Sequence, residues 1–136
     1  MNAVDSVVEA VIGLINSRSL FAQVTRGALP THEGITCEVG PSVFSSMHMD
    51  KNLVIPLDLT INAKHPDLRT LTDTMYAIHS YLTFKKSYPK DEVGGEWQIL
   101  DIVNGTLPQL IGREDNNDWM MASSLTVKFY WKGDED

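Results

Sequence analysis

The sequence predicts an α+β domain, a mainly antiparallel sheet with two helices packed on one of its faces. Two segments, near residues 3–18 and 66–84, carry apolar residues at three- and four-residue steps, the period of a helix with one buried stripe. Two others, 53–62 and 119–132, alternate apolar and polar residues, the period of a strand with one buried face. Their order, helix, strands, helix, strands, is that of a sheet whose helices share one side.

The first helix is set by Val4, Val7, Val8, Val11, Ile12 and Ile15, with Asn2 or Asp5 as its cap. Valine is a mediocre helix former, so packing on a sheet must supply most of its stability. Gly27 and Pro30 mark a loop, Ile35–Val39 reads as a short strand, and Gly40-Pro41 stops it. Residues 42–52 show no period and read as an irregular loop. The next strand puts Leu53, Ile55, Leu57, Leu59 and Ile61 on one face, and Pro56, which has no N–H to donate, predicts an edge position or a bulge. Pro66 and Asp67 start the second helix, whose stripe is Leu68, Leu71, Met75, Ile78 and Leu82. It runs to about Phe84, with Lys85 and Lys86 at the negative end of its dipole. Residues 88–95 read as a flexible polar loop. A strand-like run, 96–102, leads through Asn104-Gly105 to residues 107–113, then the polar turn 115–118 and a long strand to Lys132. That turn suits an antiparallel hairpin between 107–113 and the last strand.

Composition narrows the function. A chain of 136 residues with 43% apolar side chains supports one ordinary core, read as a single domain over 1–136 with a disordered tail at 133–136. A net charge of −7 argues against a sequence-specific nucleic-acid grip, which needs clustered Lys and Arg; Lys85-Lys86 is the only adjacent basic pair. Cys37 is the only cysteine, which excludes an internal disulfide and fits a reducing cytoplasm. The apolar stretch from Val4 to Ile15 is broken by Asp5, Ser6 and Glu9 and reads as neither a signal peptide nor a membrane span.

The residue pattern announces no catalytic, cofactor or metal site. His32, His48, His65 and His79 stand at no metal-ligand spacing, and His79 suits a hydrogen bond at the helix–sheet border. Asp115, Asn117 and Asp118 lack the glycine and distal glutamate of a calcium loop and read as a turn. Cys37 reads as a buried thiol. No serine lies in a Gly-x-Ser-x-Gly elbow, and no glycine-rich phosphate loop exists. Glu96 and Asp101 fall on opposite faces of a regular strand, which removes a paired-carboxylate site.

The long last strand and its aromatic residues suggest a part built to join other copies. Trp97, Trp119, Phe129, Tyr130 and Trp131 gather there, mostly as core, with Tyr130 and Trp131 on opposite faces. In its order of parts the chain resembles the minor capsid or tail-terminator proteins of long-tailed bacteriophages. The resemblance rests on the N-terminal amphipathic helix, the strands around Ile35 and Leu53 to Ile61, and the Leu-x-x-Leu-x-x-x-Met-x-x-Ile helix from Leu68 to Ile78. It ends on Leu107-Pro108-Gln109-Leu110-Ile111-Gly112-Arg113, a polar turn, and the strand from Trp119 to Tyr130. It implies a homohexameric ring that caps the head-proximal end of the tail tube, ends tube polymerisation and offers the head-joining surface. The implied partners are the tail-tube protein and a head-completion or connector protein, and the implied location is the virion tail, assembled in the bacterial cytoplasm. No cofactor comes with it. The alternatives are another neck or tail-tube component, or a small-molecule binding domain or enzyme with an enclosed pocket. Candidate interface residues are Lys128, Tyr130 and Lys132 on the last strand, Met47 and His48 in the 42–52 loop, and Asp91 and Glu92 in the 90–95 loop.

Overall fold

The computed structural model describes residues 3–30, 33–40, 53–83 and 85–131. The elements follow the order α1 (Ala3–Asn16), β1 (Val24–Thr25), β2 (Gly34–Val39), β3 (Leu53–His65), α2 (Leu68–Thr83), β4 (Trp97–Asn104), β5 (Gln109–Arg113) and β6 (Trp119–Trp131). The strands form one sheet in the order β1-β2-β3-β6-β4, with β5 also paired to β6. Every pairing is antiparallel except that of β1 with β2. The fold class is therefore the α+β one that the residue periods predict.

Helix α1 buries Val7, Val8, Val11, Ile12 and Ile15 of the predicted stripe, leaves its first member Val4 half-buried, and stops at Asn16. Asn16 ends it by turning to β1: its Nδ2 donates to the Val24 carbonyl at 3.1 Å, and the Val24 amide donates to its Oδ1 at 2.7 Å. Asp5 is not the cap. It lies inside the first turn and pairs with the Arg26 guanidinium at 3.0 Å, while Arg26 also grips Glu38 on β2. Those hydrogen bonds hold the Glu38 carboxyl below its usual range and tie α1 to the sheet edge. The two-residue β1 is too short to show a period.

Helix α2 begins after Asp67, whose carboxylate accepts from Thr70 Oγ1 at 2.6 Å and sits below its usual pKa mainly for that reason. It buries Leu71, Met75, Ile78 and Leu82 of the predicted stripe, together with Thr74 and His79, while Leu68 at its start is half-buried. Opposite it, Ile55, Leu57, Leu59, Ile61 and Ala63 of β3 and Met121, Leu125, Val127 and Phe129 of β6 are buried. These residues, the α1 stripe and Cys37 make one core cluster, with Trp97, Trp119 and Trp131 partly buried against it.

Two expectations about the strands fail. The length of the last strand is not left over for joining other copies, because all of β6 from Trp119 to Trp131 is matched residue for residue by β3 from His65 back to Leu53. Its length is used inside the chain. And β3 is an interior strand, not an edge, with no bulge against β6 at Pro56. The proline is tolerated because, among the described residues, β2 pairs only with Leu59–Lys64, so no ladder asks for its missing N–H on that side.

Along its other edge β6 carries β4 and β5 in succession. Asn104 faces Leu125 and Gln109 faces Ala122, and the link between them bows out over Ser124. Gly105 donates its amide to the Ser124 carbonyl at 3.0 Å, and Thr106 donates its amide to Ser124 Oγ at 2.7 Å. A Cβ on Gly105 would stand 2.5 Å from that hydroxyl, which is why glycine occupies the position. The predicted hairpin of residues 107–113 with the last strand is present. Its polar turn closes with Asn117 at φ 74° and the Glu114 amide donating to the Asp118 carbonyl at 2.8 Å. The region read as a flexible loop is anchored: Asp91 Oδ1 accepts from the Val93 and Gly94 amides, its Oδ2 accepts from the Glu96 amide, and Lys90 bridges to Gln98.

Candidate assembly interface

The outer edge of β4 and β5 is the least finished part of the sheet. Its first residues are covered, since the Asp91 amide donates to the Trp97 carbonyl at 2.8 Å and the Ile99 amide to the Pro89 carbonyl at 3.0 Å. Beyond them, no described strand pairs with the outer side of β4 or β5. Bulges sit between Ile99 and Asp101 and between Leu110 and Gly112, devices that turn an edge away from indiscriminate pairing. Among polar neighbours such as Asp101, Gln109 and Arg113, several exposed side chains there are apolar: Leu107 is 51% exposed, Leu110 50% and Ile111 59%, with Leu100 also exposed. Clustered apolar exposure on an unpaired edge is the usual mark of a contact surface.

A second apolar spot lies at the opposite end of β6. Tyr130 is half-buried and registered with exposed Val54 on β3 and with Gln98 on β4. Lys128 is exposed, between Pro56 and Asp101 in register. The bulge at Ile99/Asp101 brings Asp101 opposite Lys128, so the alternation that set Glu96 and Asp101 on opposite faces does not hold. Of the predicted interface residues, Lys128, Tyr130, Asp91 and Glu92 thus fall at one end of the sheet, where Lys90 bridges to Gln98 beside Tyr130. Glu92 is exposed, whereas the Asp91 carboxylate is spent on its turn and held below its usual pKa by the Gly94 and Glu96 amides. Met47, His48 and Lys132 lie outside the described residues, as do His32 and the tail at 133–136. Leu107, Leu110 and Ile111 were not among the predicted contacts, although the apolar, non-alternating run 107–111 was the available signal.

His79 Nδ1 lies 2.8 Å from Asn104 Oδ1 and its Nε2 lies 2.7 Å from Ser123 Oγ. Burial pushes the imidazole below its ordinary pKa, so the ring is neutral. With the proton on Nδ1, His79 donates to Asn104 and accepts from the Ser123 hydroxyl. This Ser–His–Asn order is that of a nucleophile, base and orienting group, and the sequence hid it because the three residues are far apart in the chain. Its position speaks for structure. His79 is 3% and Ser123 4% exposed, between α2 and the sheet, whereas attack requires a substrate atom about 3–3.5 Å from the hydroxyl. The hydrogen bond at the helix–sheet border expected of His79 is the one found. Cys37 is fully buried and its thiol is pushed up to about 12, chiefly by desolvation, which leaves it without nucleophilic thiolate.

No protein-family model matches the chain, and no curated protein matches it.

Proposed function

We propose that this chain is a structural assembly protein of a long-tailed bacteriophage, a ring that caps the head-proximal end of the tail tube. There it ends tube polymerisation and offers the surface for head joining, with the tail-tube protein and a head-completion or connector protein as partners. The observation that carries the assembly part is the exposed apolar edge at Leu107, Leu110 and Ile111. It differs in composition from the spot at Val54 and Tyr130, and the two stand about 30 Å apart along β6. Two unlike patches far apart favour a head-to-tail contact, which closes into a ring when the rotation between copies is right. The phage assignment rests on the resemblance of its order of parts to that of tail terminators, and six copies is the count that resemblance implies.

Purified chain mixed with tail tubes lacking a terminator is expected to decorate one tube end in negative-stain images. Size exclusion with light scattering is expected to give a closed species of six copies. Open filaments of the chain alone would favour a tube component instead. Absence from tube ends would remove the terminator role.

A further inference from the structure

Asn104-Gly105 is the only asparagine–glycine pair in the sequence. Such a pair is set up for one internal reaction, because glycine carries no Cβ to keep its amide nitrogen away from the carbonyl carbon of the preceding side chain. Asn104, Gly105 and Thr106 are all exposed at the open margin where β4 passes into β5, so water reaches the pair. The fold nevertheless holds the two reacting groups apart. Asn104 Oδ1 lies 2.8 Å from His79 Nδ1, which draws the side chain toward α2. The Gly105 amide donates to the Ser124 carbonyl at 3.0 Å, within the sheet and toward β6. Side chains stand off a sheet while ladder bonds lie in it, so the electrophile and the nucleophile point in different directions. The Thr106 amide, donating to Ser124 Oγ at 2.7 Å, closes the link over the same residue.

We propose that Asn104-Gly105 is a self-modification site, at which Asn104 deamidates when the link between β4 and β5 opens, and that the hydrogen bonds to His79 and Ser124 are its gate. Once released, the Gly105 nitrogen attacks Asn104 Cγ. A bond forms between them, the Cγ–Nδ2 bond breaks, and ammonia leaves carrying the Gly105 amide proton. Water then adds to one of the two carbonyls of the resulting succinimide and opens the ring, giving aspartate or isoaspartate at 104. Water is the only co-reactant, and loss of ammonia makes the step one-way. Either product alters the margin. Aspartate sets a carboxylate against the His79 imidazole, a charge that favours the protonated ring. Isoaspartate routes the main chain through the former side chain and adds a carbon between the residue opposite Leu125 and the amides bonded to Ser124, so the link loses its fit. The site thereby marks copies whose margin has opened. It goes beyond the assembly reading and does not depend on it.

The test follows the full chain in mildly alkaline buffer by peptide mass spectrometry, with chromatography separating the aspartate and isoaspartate forms. In urea, where the gate is gone, conversion at Asn104 is expected to run at least about ten-fold faster than in the folded chain. Ser124→Ala removes one bond of the link on the uncovered sheet face and is expected to speed conversion in the folded chain about five-fold, with circular dichroism unchanged. Native-state hydrogen exchange gives a check that needs no substitution. The Gly105 amide should be protected by the same factor by which folding slows deamidation, because one opening governs both. A chain that keeps its Asn104 amide in urea would overturn the site. Equal conversion in urea and in the folded chain, a folded Ser124→Ala that converts no faster, or a Gly105 protection that departs from the slowing by more than about ten-fold would each overturn the gate. If Ser124→Ala does not fold, the exchange comparison on the unmodified chain decides.

Discussion

His79 shows how one residue couples position to stability. Neutral when folded and of ordinary pKa when unfolded, it makes the unfolded chain the better proton binder below about pH 6.5. Its contribution to stability is therefore complete above that pH and is lost as pH falls from there through the lower pKa of the folded state. Thermal unfolding between about pH 5 and 8 should show a melting temperature that drops on the acid side, less steeply for His79→Gln. Equal slopes in the two proteins would dismiss the role. Glu38 weakens the fold only at lower pH, because its carboxyl is depressed by Arg26 and protonates below the histidine range. The histidine's border position followed from its place beside Ile78 in the helical stripe. Its two partners did not, since Asn104 and Ser123 reach it only once β4 and β6 lie side by side.

At the scale of elements, β6 is the spine and the β4–β5 edge is the open margin. Leu57 and Leu71 are both fully buried, on β3 and α2. Leu57→Ala or Leu71→Ala should cost about 2–5 kcal/mol in denaturant unfolding, and a loss below about 1 kcal/mol would contradict their place in the core. Ile111→Lys should do the opposite: unfolding free energy within about 0.5 kcal/mol of the unmodified chain, but weaker association by light scattering. An unchanged oligomer would move the contact away from this edge. The buried stripes were readable in advance because a period of two or 3.6 residues directly encodes a buried face. The edge was not. Alternation says which face of a strand is wet, but not which neighbour is missing, and the long last strand, whose length suggests a joining part, is the best paired of all.

At the scale of the molecule, the helices cover one sheet face and the other carries the row that includes Lys128 and Tyr130. Tyr130→Ala, or Lys128→Glu, which sets a second acid beside Asp101, should lower assembly while leaving the monomer folded by circular dichroism. Intact rings with both changes would leave the β4–β5 edge as the contact to pursue. The acidic balance bears on solubility and on repulsion between copies, so assembly has to come from local patches that overcome it.

The amino-acid order alone determined the two helices, their buried stripes, the alternating faces of β3 and β6, the turn before β6 and the inert character of Cys37. Each of these is written in local period, turn chemistry or composition. Tertiary structure decided which strands are neighbours, that β3 is interior, that Ser123, His79 and Asn104 meet, and that Leu107, Leu110 and Ile111 stay exposed. Those facts depend on register and strand order, which join residues distant in the chain and leave no periodic trace in either segment alone.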